Sequence, residues 1–276
     1  MAAALIQHPA SVQLIGLPTD HHSSFLRGAA EGPEAIRRAL GSGHWNMAAE
    51  GGLELGTDVR LSDSGDLPLD GSSADAERIR SAVARAAREG HVPICLGGDH
   101  MVSFPAVAGV AEVHGPVNIL HIDAHSDLYD DYEGDPLSHA SPFARIMEGG
   151  HACQLVQVGI RTLNRHCREQ AERFGVEVVE MRTFSPGAVT IPEGPLYISI
   201  DLDGLDPAYA PGVSHHEPGG LSTREVLALL HRVRGPLVGA DVVELNPSRD
   251  INGMTATLAA KLVKELAALA GQETRP

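Results

Sequence analysis

Acidic and histidine side chains follow the apolar segments of this chain in a pattern suited to divalent metal chemistry. The stretch NILHIDAHSDLYD places Asp123, His125 and Asp127 at alternate positions after an apolar run, and SIDLDGLDP does the same with Asp201 and Asp203. Alternate residues of an extended strand point the same way, so each set is expected to face a common centre. Crowded, desolvated carboxylates repel one another unless cations lie among them.

Two further apolar runs end in groups of the same kind. CLGGDH supplies Asp99 and His100, and GADVVELNP supplies Asp241 and Glu244. The carboxyl ends of parallel strands lie on one edge of a sheet, where ligands usually bind, so these groups are expected to meet in space. We predict that two divalent ions are held by two imidazoles and four carboxylates: His100, Asp123, His125, Asp127, Asp201 and Asp203.

This ligand set is rich in oxygen and lacks the sulfur ligands of structural zinc sites, so it favours Mn²⁺. Zn²⁺, Co²⁺, Ni²⁺ and Fe²⁺ stay open as alternatives. Two ions roughly 3.5 Å apart acidify a shared water, which can attack an electrophilic carbon or phosphorus, so the pattern predicts a hydrolase. Asp99 and Asp206 lie beside turns and are expected to accept from backbone amides or orient a ligand. His121 is expected to pack near the site or support a ligand rather than bind metal itself.

The elements that must position these groups alternate between apolar segments and helix-like segments. This alternation predicts an α/β fold, a mostly parallel sheet covered by helices. Strands are predicted to begin at Val12, Val92, Val117, Leu155, Val176, Leu196 and Leu237. Helices are predicted in PEAIRRAL, SADAERIRSAVARAAREG, REQAERF, STREVLALLHRV and MTATLAAKLVKELAALA.

Local signals refine these elements. Ser72 or Ser73 is the expected N-cap of the second helix, and Ser222 with Glu225 forms a capping box. The Gly-rich stretch 41–56 is expected to be a surface loop, and the stretch 129–142 a binding loop. No linker divides the chain, so residues 1–276 are predicted to form one catalytic domain.

Composition limits the partners and the compartment. With 21 basic and 36 acidic residues, the formal net charge is −15, so nucleic acid and anionic membranes are not expected partners. Three scattered cysteines predict neither a disulfide framework nor a cysteine metal site. The first residues lack the pattern of a signal or transit segment, so a cytoplasmic location is expected.

The chain resembles the ureohydrolase family of arginases and agmatinases. The shared motifs are GGDH, DAHSD, SIDLDGLDP and ELNP, and stretches such as SSFLRG and SHASPFARIMEGG are most similar to plant-type arginases and their bacterial relatives. The resemblance implies a three-layer α/β/α fold, two Mn²⁺ per subunit and hydrolysis of a guanidino group to urea and an amine. It also implies a homo-oligomer, a trimer or hexamer.

The resemblance also implies individual roles. One ion would take His100, Asp123, Asp127 and Asp201, and the other Asp123, His125, Asp201 and Asp203, so that Asp123 and Asp201 bridge. Three residues are expected to be catalytic: His139 as a proton carrier, Glu244 as the partner of the guanidinium, and Asp127. Besides His139 and Glu244, the expected substrate contacts are Asn164, Ser138 and His215.

The substrate is less determined than the reaction. The loop after DAHSD is shorter than in animal-type arginases, as in plant-type ones, and we favour L-arginine, giving ornithine, on whole-chain resemblance. One alternative is agmatine, giving putrescine, because Asp130, Asp131, Glu133 and Asp135 would attract a second cation. Another guanidino acid is a further alternative. Two further alternatives are a deacetylase-like amidohydrolase with a single zinc and a catalytically inactive metal-binding or oligomer scaffold.

Overall fold

A computed structural model of the protein describes residues 10–272. Its centre is a sheet of eight strands in the order β2-β1-β3-β8-β7-β4-β5-β6. Every pairing between these strands is parallel. The strands are β1 Ser11–Leu17, β2 Arg60–Asp66, β3 Val92–Gly97, β4 Val117–Ile122, β5 Ala152–Ile160, β6 Glu177–Glu180, β7 Leu196–Asp201 and β8 Leu237–Val243.

Helices cover both faces of the sheet. They are α1 Gly32–Leu40, α2 Asp75–Arg88, α3 Ser103–His114, α4 Pro142–Glu148, α5 Arg165–Phe174, α6 Thr223–Leu230 and α7 Met254–Gln272. One apolar core joins α1, α6 and α7 to one face, and the other joins α2, α3, α4 and α5 to the opposite face. The predicted three-layer α/β/α fold is therefore confirmed.

The central strands alternate between these two cores. In β4, Leu120 and Ile122 enter one core, whereas Ile119 enters the other. Because both faces are covered, the central strands are apolar on both sides, which is why they read as continuous apolar runs in the sequence.

Several local predictions hold. The seven predicted strands are present, and α6 begins with the predicted capping box, in which Ser222 and Glu225 exchange side-chain and backbone hydrogen bonds. Gly175 adopts φ 66 immediately after α5, a left-handed conformation that terminates the helix at little cost for glycine.

Other local predictions are wrong. Strand β2 was not expected, because RLSDSGD is polar and lies at the sheet edge. Helices α3 and α4 were not expected either, since α3 is apolar nearly all round and α4 is short. The N-cap of α2 is Ala74 rather than Ser72 or Ser73, and the Asp75 carboxylate instead accepts from the N–H groups of Asp70 and Gly71.

The alternating-strand account of the DAHSD motif is also wrong. Strand β4 ends at Ile122, so Asp123, His125 and Asp127 lie in the loop that follows it, and Asp127 adopts φ 50. Asp203 likewise lies in a 3₁₀ turn after β7. Loop folding, not strand periodicity, directs these side chains.

Candidate metal centre

The predicted metal ligands and Glu244 gather at the carboxyl ends of four neighbouring strands. His100 follows β3, Asp123 follows β4, Asp201 ends β7 and Glu244 follows β8, and these strands stand in the order β3-β8-β7-β4. Gly204 permits a close approach, because a Cβ there would lie 2.8 Å from the backbone nitrogen of Asp123. The turn that carries Asp203 is thereby held against the loop that carries Asp123.

His100 is surrounded by carboxylates. Its Nδ1 lies 3.1 Å from Asp123 Oδ2, 3.0 Å from Asp127 Oδ2 and 3.1 Å from Asp201 Oδ2. Despite these contacts, Nδ1 is a buried polar atom that makes no hydrogen bond of acceptable geometry with any described residue. Separations of about 3 Å are what adjacent ligands show around a shared ion with bonds of about 2.0–2.2 Å.

A second group shares Asp123 with the first. His125 Nδ1 lies 3.4 Å from Asp123 Oδ1 and 3.2 Å from Asp203 Oδ2. Ligand atoms of His100, His121 and Asp123 form one compact group, and those of Asp123, His125 and Asp203 form another. Without His121, the carboxylates around His100 Nδ1 and those around His125 Nδ1 still have Asp123 in common, as a pair of ions with a bridging ligand requires.

Buried negative charge dominates the electrostatics of the cluster. Burial raises the pKa of Asp201 well above its usual range, and the charges of Asp203 and Asp123 raise it further. Burial also raises the pKa of Asp203, to about 6. Burial lowers the pKa of His100, but its carboxylate neighbours outweigh this effect and raise it well above normal. The cluster therefore favours positive charge, and the orphaned Nδ1 together with this donor set fits divalent metal ions.

His121 packs beside Asp123, one of the predicted ligands. It is fully buried, stacks on Phe143 at 3.8 Å between ring centroids, and its Nε2 lies 2.9 Å from Asp123 Oδ2. Gln157 Nε2 is fixed by the Ser126 carbonyl at 2.6 Å and lies 3.1 Å from His121 Nδ1. The amide therefore donates to Nδ1, so the ring proton is on Nε2 and is donated to Asp123.

Asp99 and Asp206 accept from backbone amides, as expected. Asp99 accepts from the N–H groups of His22 and Met101, and Asp206 accepts from those of Ala208, Gly219 and Gly220. Their carboxylates shape the loops around the cluster.

His139 and Glu244 lie together beside the cluster. His139 Nδ1 is 2.9 Å from Glu244 Oε1, and its Nε2 is 2.8 Å from Ser24 Oγ. The backbone N–H of His100 also donates to Glu244 Oε1, at 3.0 Å. Glu244 adopts φ 63, a strained conformation for a non-glycine residue, which aims the strand-end carboxylate inward.

Each residue of this pair stabilises the charged form of the other. Burial raises the pKa of Glu244, but the hydrogen bond from His139 outweighs it and the net shift is downward. Burial lowers the pKa of His139, yet Glu244 raises it to about 9. At neutral pH the pair is therefore an imidazolium and a carboxylate.

A cleft of about 140 Å³ opens onto the cluster. Its lining includes Asp127, Asp201 and Asp203 on the metal side, His139 and Glu244 beside them, and His215, Ser24, Tyr129 and Tyr132 toward the mouth. The His215 ring lies 5.1 Å from that of His139 and 5.5 Å from that of Phe25. The predicted binding loop thus contributes two aromatic walls.

Two other predicted substrate contacts have structural partners. Asn164 Oδ1 accepts from the N–H of Cys167 as the N-cap of α5, and its amide donates to Tyr129 OH at 2.5 Å. Ser138 is buried, and its hydroxyl accepts from the N–H of Ala140. Neither Asn164 nor Ser138 is among the residues that line the cleft, but Asn164 contacts Tyr129, which does line it.

Sequence reasoning missed three contributors to the site. Ser24 belongs to SSFLRG, a motif with no chemical spacing signal, and Tyr132 lies in a loop whose acidic residues drew attention instead. Arg161 donates to the carbonyls of Asp203 and Glu217, each at 2.6 Å, and so fixes the turn after β7. Only the three-dimensional course of the chain identifies these contacts.

Comparisons with known proteins identify the family and agree with the fold. The Arginase family sequence model matches residues 10–268. "Arginase 1, mitochondrial" of Arabidopsis thaliana is 52% identical over 276 residues, covering 94% of this chain and 81% of that protein. The solved "Arginase from Medicago truncatula" has a TM-score of 0.87 and 46% identity, covering 95% and 87% of the two chains.

A more distant relative carries a different activity in its name. "Agmatinase, mitochondrial" of Gallus gallus is 35% identical over 268 residues, covering 91% of this chain and 78% of that protein. Plant arginases are therefore markedly more similar to this chain than this agmatinase is.

Proposed function

The chain belongs to the arginase family, and on this premise we propose that it is a metal-dependent hydrolase that releases urea from L-arginine and leaves ornithine. The observation that carries the proposal is the position of Glu244 and His139 beside a buried cluster of imidazoles and carboxylates. About 50% identity to plant arginases supports arginine as the substrate.

We propose two Mn²⁺ per subunit, on the six predicted ligands. The carboxylates around His100 Nδ1 and those around His125 Nδ1 have Asp123 in common, which supports the number, and the oxygen-rich donor set supports the metal. When bound, the ions supply an acidified water and the positive charge that offsets the carboxylates. A single-zinc, deacetylase-like site would leave Asp127 and Asp203 without a cation, although both carboxylates line the cleft.

Glu244 is proposed to bind the guanidinium. Its Oε1 already accepts from the His100 N–H and from His139, so this oxygen is fixed in place. A fixed, buried carboxylate can hold a planar guanidinium by charge-assisted hydrogen bonds and orient its carbon toward Asp127, Asp201 and Asp203.

His139 is proposed to deliver a proton to the departing amine. Burial and Glu244 together leave it with a pKa of about 9, so the ring holds a proton at neutral pH. Ser24 Oγ, at 2.8 Å from Nε2, accepts one N–H and keeps the ring in line with the cleft. An inactive scaffold would need neither this pair nor an open cleft beside it.

The acidic loop gives agmatine less support than its composition indicates. Asp130 accepts from Gln170 at 2.5 Å and lies 3.4 Å from Arg173, while Asp135 pairs with His22 at 2.9 Å. These carboxylates are thus engaged by neighbours, whereas the cleft is lined there by Tyr129 and Tyr132. None of the four loop acids lines the cleft, so the unbalanced cationic tail of agmatine would gain little there. This favours arginine, whose α-carboxylate balances its α-ammonium.

Three wider properties are proposals as well. One sheet joins all described strands, which supports a single catalytic domain over residues 1–276, of which 1–9 and 273–276 lie outside the described residues. A trimer or hexamer rests on the family resemblance. We propose a cytoplasmic location on the basis of the three scattered cysteines. Because the Arabidopsis relative is named as mitochondrial, cell fractionation is needed to test this location. None of the helices described is long and apolar enough to cross a membrane.

A substrate panel tests the function. Protein loaded with Mn²⁺ is assayed for urea release from L-arginine, agmatine and 4-guanidinobutyrate, with bound metal measured in the same samples. We expect the highest kcat/KM for L-arginine. A higher kcat/KM for agmatine would reassign the substrate, and no urea from any compound by metal-loaded protein would refute the hydrolase itself.

A further inference from the structure

A fully buried carboxylate lies behind the metal cluster without a cationic partner among the described residues. Asp241, on β8, accepts from three hydroxyl groups: Ser199 Oγ reaches its Oδ1 at 2.7 Å, and Tyr197 OH and Ser103 Oγ reach its Oδ2 at 2.8 Å each. Burial raises the pKa of Tyr197 well above normal, and the charge of Asp241 adds to this, so the phenol keeps the proton that it donates.

Strand register creates this arrangement. Ser199 and Asp241 are paired residues of the adjacent strands β7 and β8. Tyr197, Ser199 and Asp201 alternate along β7 and therefore share one face, so the same face that offers hydroxyls to Asp241 ends in the metal ligand Asp201.

The proton of Ser199 determines the proton of His100. An ionised carboxylate only accepts, and a hydroxyl has one proton, so Ser199 donates to Asp241 and presents a lone pair elsewhere. That lone pair faces His100 Nε2, 3.0 Å from Ser199 Oγ. A neutral, metal-binding ring must then carry its proton on Nε2, which leaves the lone pair of Nδ1 for an ion on the side of Asp123, Asp127 and Asp201.

We propose that Asp241 is a positioning residue, which acts through Ser199 to keep the proton of His100 on Nε2 and Nδ1 free to bind metal. The inference rests on the proposed metal-binding function. A carboxylate that orients a metal-binding histidine usually contacts the ring directly, whereas here a serine hydroxyl relays the effect. With the opposite tautomer, an N–H would occupy the position at which His100 must present a lone pair.

The substitution Asp241→Asn tests the relay because an amide has only one oxygen. Placing that oxygen between Tyr197 and Ser103 retains two bonds and turns the NH₂ group toward Ser199. Ser199 then accepts from the amide, its own proton turns to His100 Nε2, and the ring proton is displaced to Nδ1. We expect the Mn²⁺ dissociation constant of the His100 site to rise about 10- to 100-fold, measured by competition with a chromogenic chelator.

Matched variants separate positioning from general destabilisation. Tyr197→Phe removes a donor from the same carboxylate but leaves Ser199 and His100 in place, so its metal affinity should equal that of the wild type. Ser199→Ala removes the relay itself and should weaken binding in the same direction as Asp241→Asn, which keeps the test usable if the latter fails to fold. Thermal unfolding of each metal-free variant reports the structural cost separately.

The outcomes are distinct. Weak metal binding by Asp241→Asn and Ser199→Ala with unchanged binding by Tyr197→Phe supports the relay. Wild-type affinity in Asp241→Asn and Ser199→Ala, or equal weakening in Tyr197→Phe, overturns it while leaving the metal centre intact. Failure of the wild-type protein to bind Mn²⁺ would overturn the proposed function and this inference together.

Discussion

The Nδ1 atom of His139 lies 2.9 Å from Glu244 Oε1 at the side of the cleft. The two residues are separated by 105 positions in the chain, and the fold brings them together by placing the loop after β4 over the end of β8. Each sets the charge of the other, because the carboxylate raises the pKa of the imidazole and the imidazole lowers that of the carboxylate. In the proposed reaction, the pair would supply an anion for the substrate and a proton for the leaving group.

Replacing Glu244 with Gln should reduce kcat/KM for arginine without loss of metal. The neutral amide keeps the size of the side chain but removes one charge of a buried ion pair. Such a loss weakens the binding free energy by about 2–5 kcal/mol. Steady-state urea release and metal content measured on the same preparation check this. An unchanged kcat/KM would show that Glu244 does not hold the guanidinium.

Replacing His139 with Asn should lower kcat by about 10²- to 10⁴-fold, because the proton donor is lost while the cleft and the carboxylates remain. Added imidazole should restore part of the rate. Ser24→Ala is the control: it removes the hydrogen bond at Nε2 but leaves the His139 contact with Glu244, so its loss should be much smaller. Equal rates for wild type and His139→Asn would exclude the assigned role.

Replacing Asp201 with Asn should release at least one ion per subunit, since the carboxylate that we propose to bridge the ions loses its charge. The matched control is Asp206→Asn, because Asp206 lies just beyond the turn after β7 but accepts only from backbone amides among the described residues. Metal content after gel filtration distinguishes them. Full occupancy in Asp201→Asn would contradict its position as a ligand.

Part of the loss of stability in acid should come from Glu265 of α7. This side chain is 3% exposed and accepts from Lys261 Nζ at 2.5 Å and the N–H of Glu50 at 2.9 Å. Burial raises its pKa, but these bonds outweigh burial and the net shift is below the usual 4.5. The carboxylate thus stabilises the fold above the unfolded-state pKa, and this contribution is lost as the pH falls through the folded-state pKa.

The variant Glu265→Gln should therefore unfold more easily than wild type at pH 7, by about 1–3 kcal/mol, with the difference shrinking below pH 4.5. Urea denaturation of metal-free protein at several pH values measures it. Glu172→Gln, on the exposed side of α5, controls for the change in net charge. A difference that stays constant with pH would rule out titration of Glu265 as the cause.

The sequence alone predicted which strand ends meet at the candidate site more reliably than it predicted the loop conformations there. The apolar runs that precede His100, Asp123, Asp201 and Glu244 are buried on both sides, so their strand character and common edge follow from composition. Edge strand β2 escaped prediction because a polar edge segment has no such signal.

Loop conformation explains the remaining misses. The left-handed backbone at Asp127 and Glu244 turns both carboxylates inward, and nothing in the local sequence marks either residue for positive φ. The contact between His139 and Ser24 joins segments 115 positions apart, and the hydroxyl relay to Asp241 depends on strand register. Such relationships are properties of the folded chain.

Anomalous diffraction at the manganese edge from Mn²⁺-loaded crystals tests the central claim most directly. We predict two peaks per subunit, one beside His100 and Asp127 and the other beside His125 and Asp203, with Asp123 and Asp201 between them. A single peak, or peaks held by other side chains, would contradict the binuclear centre on which the proposed chemistry depends.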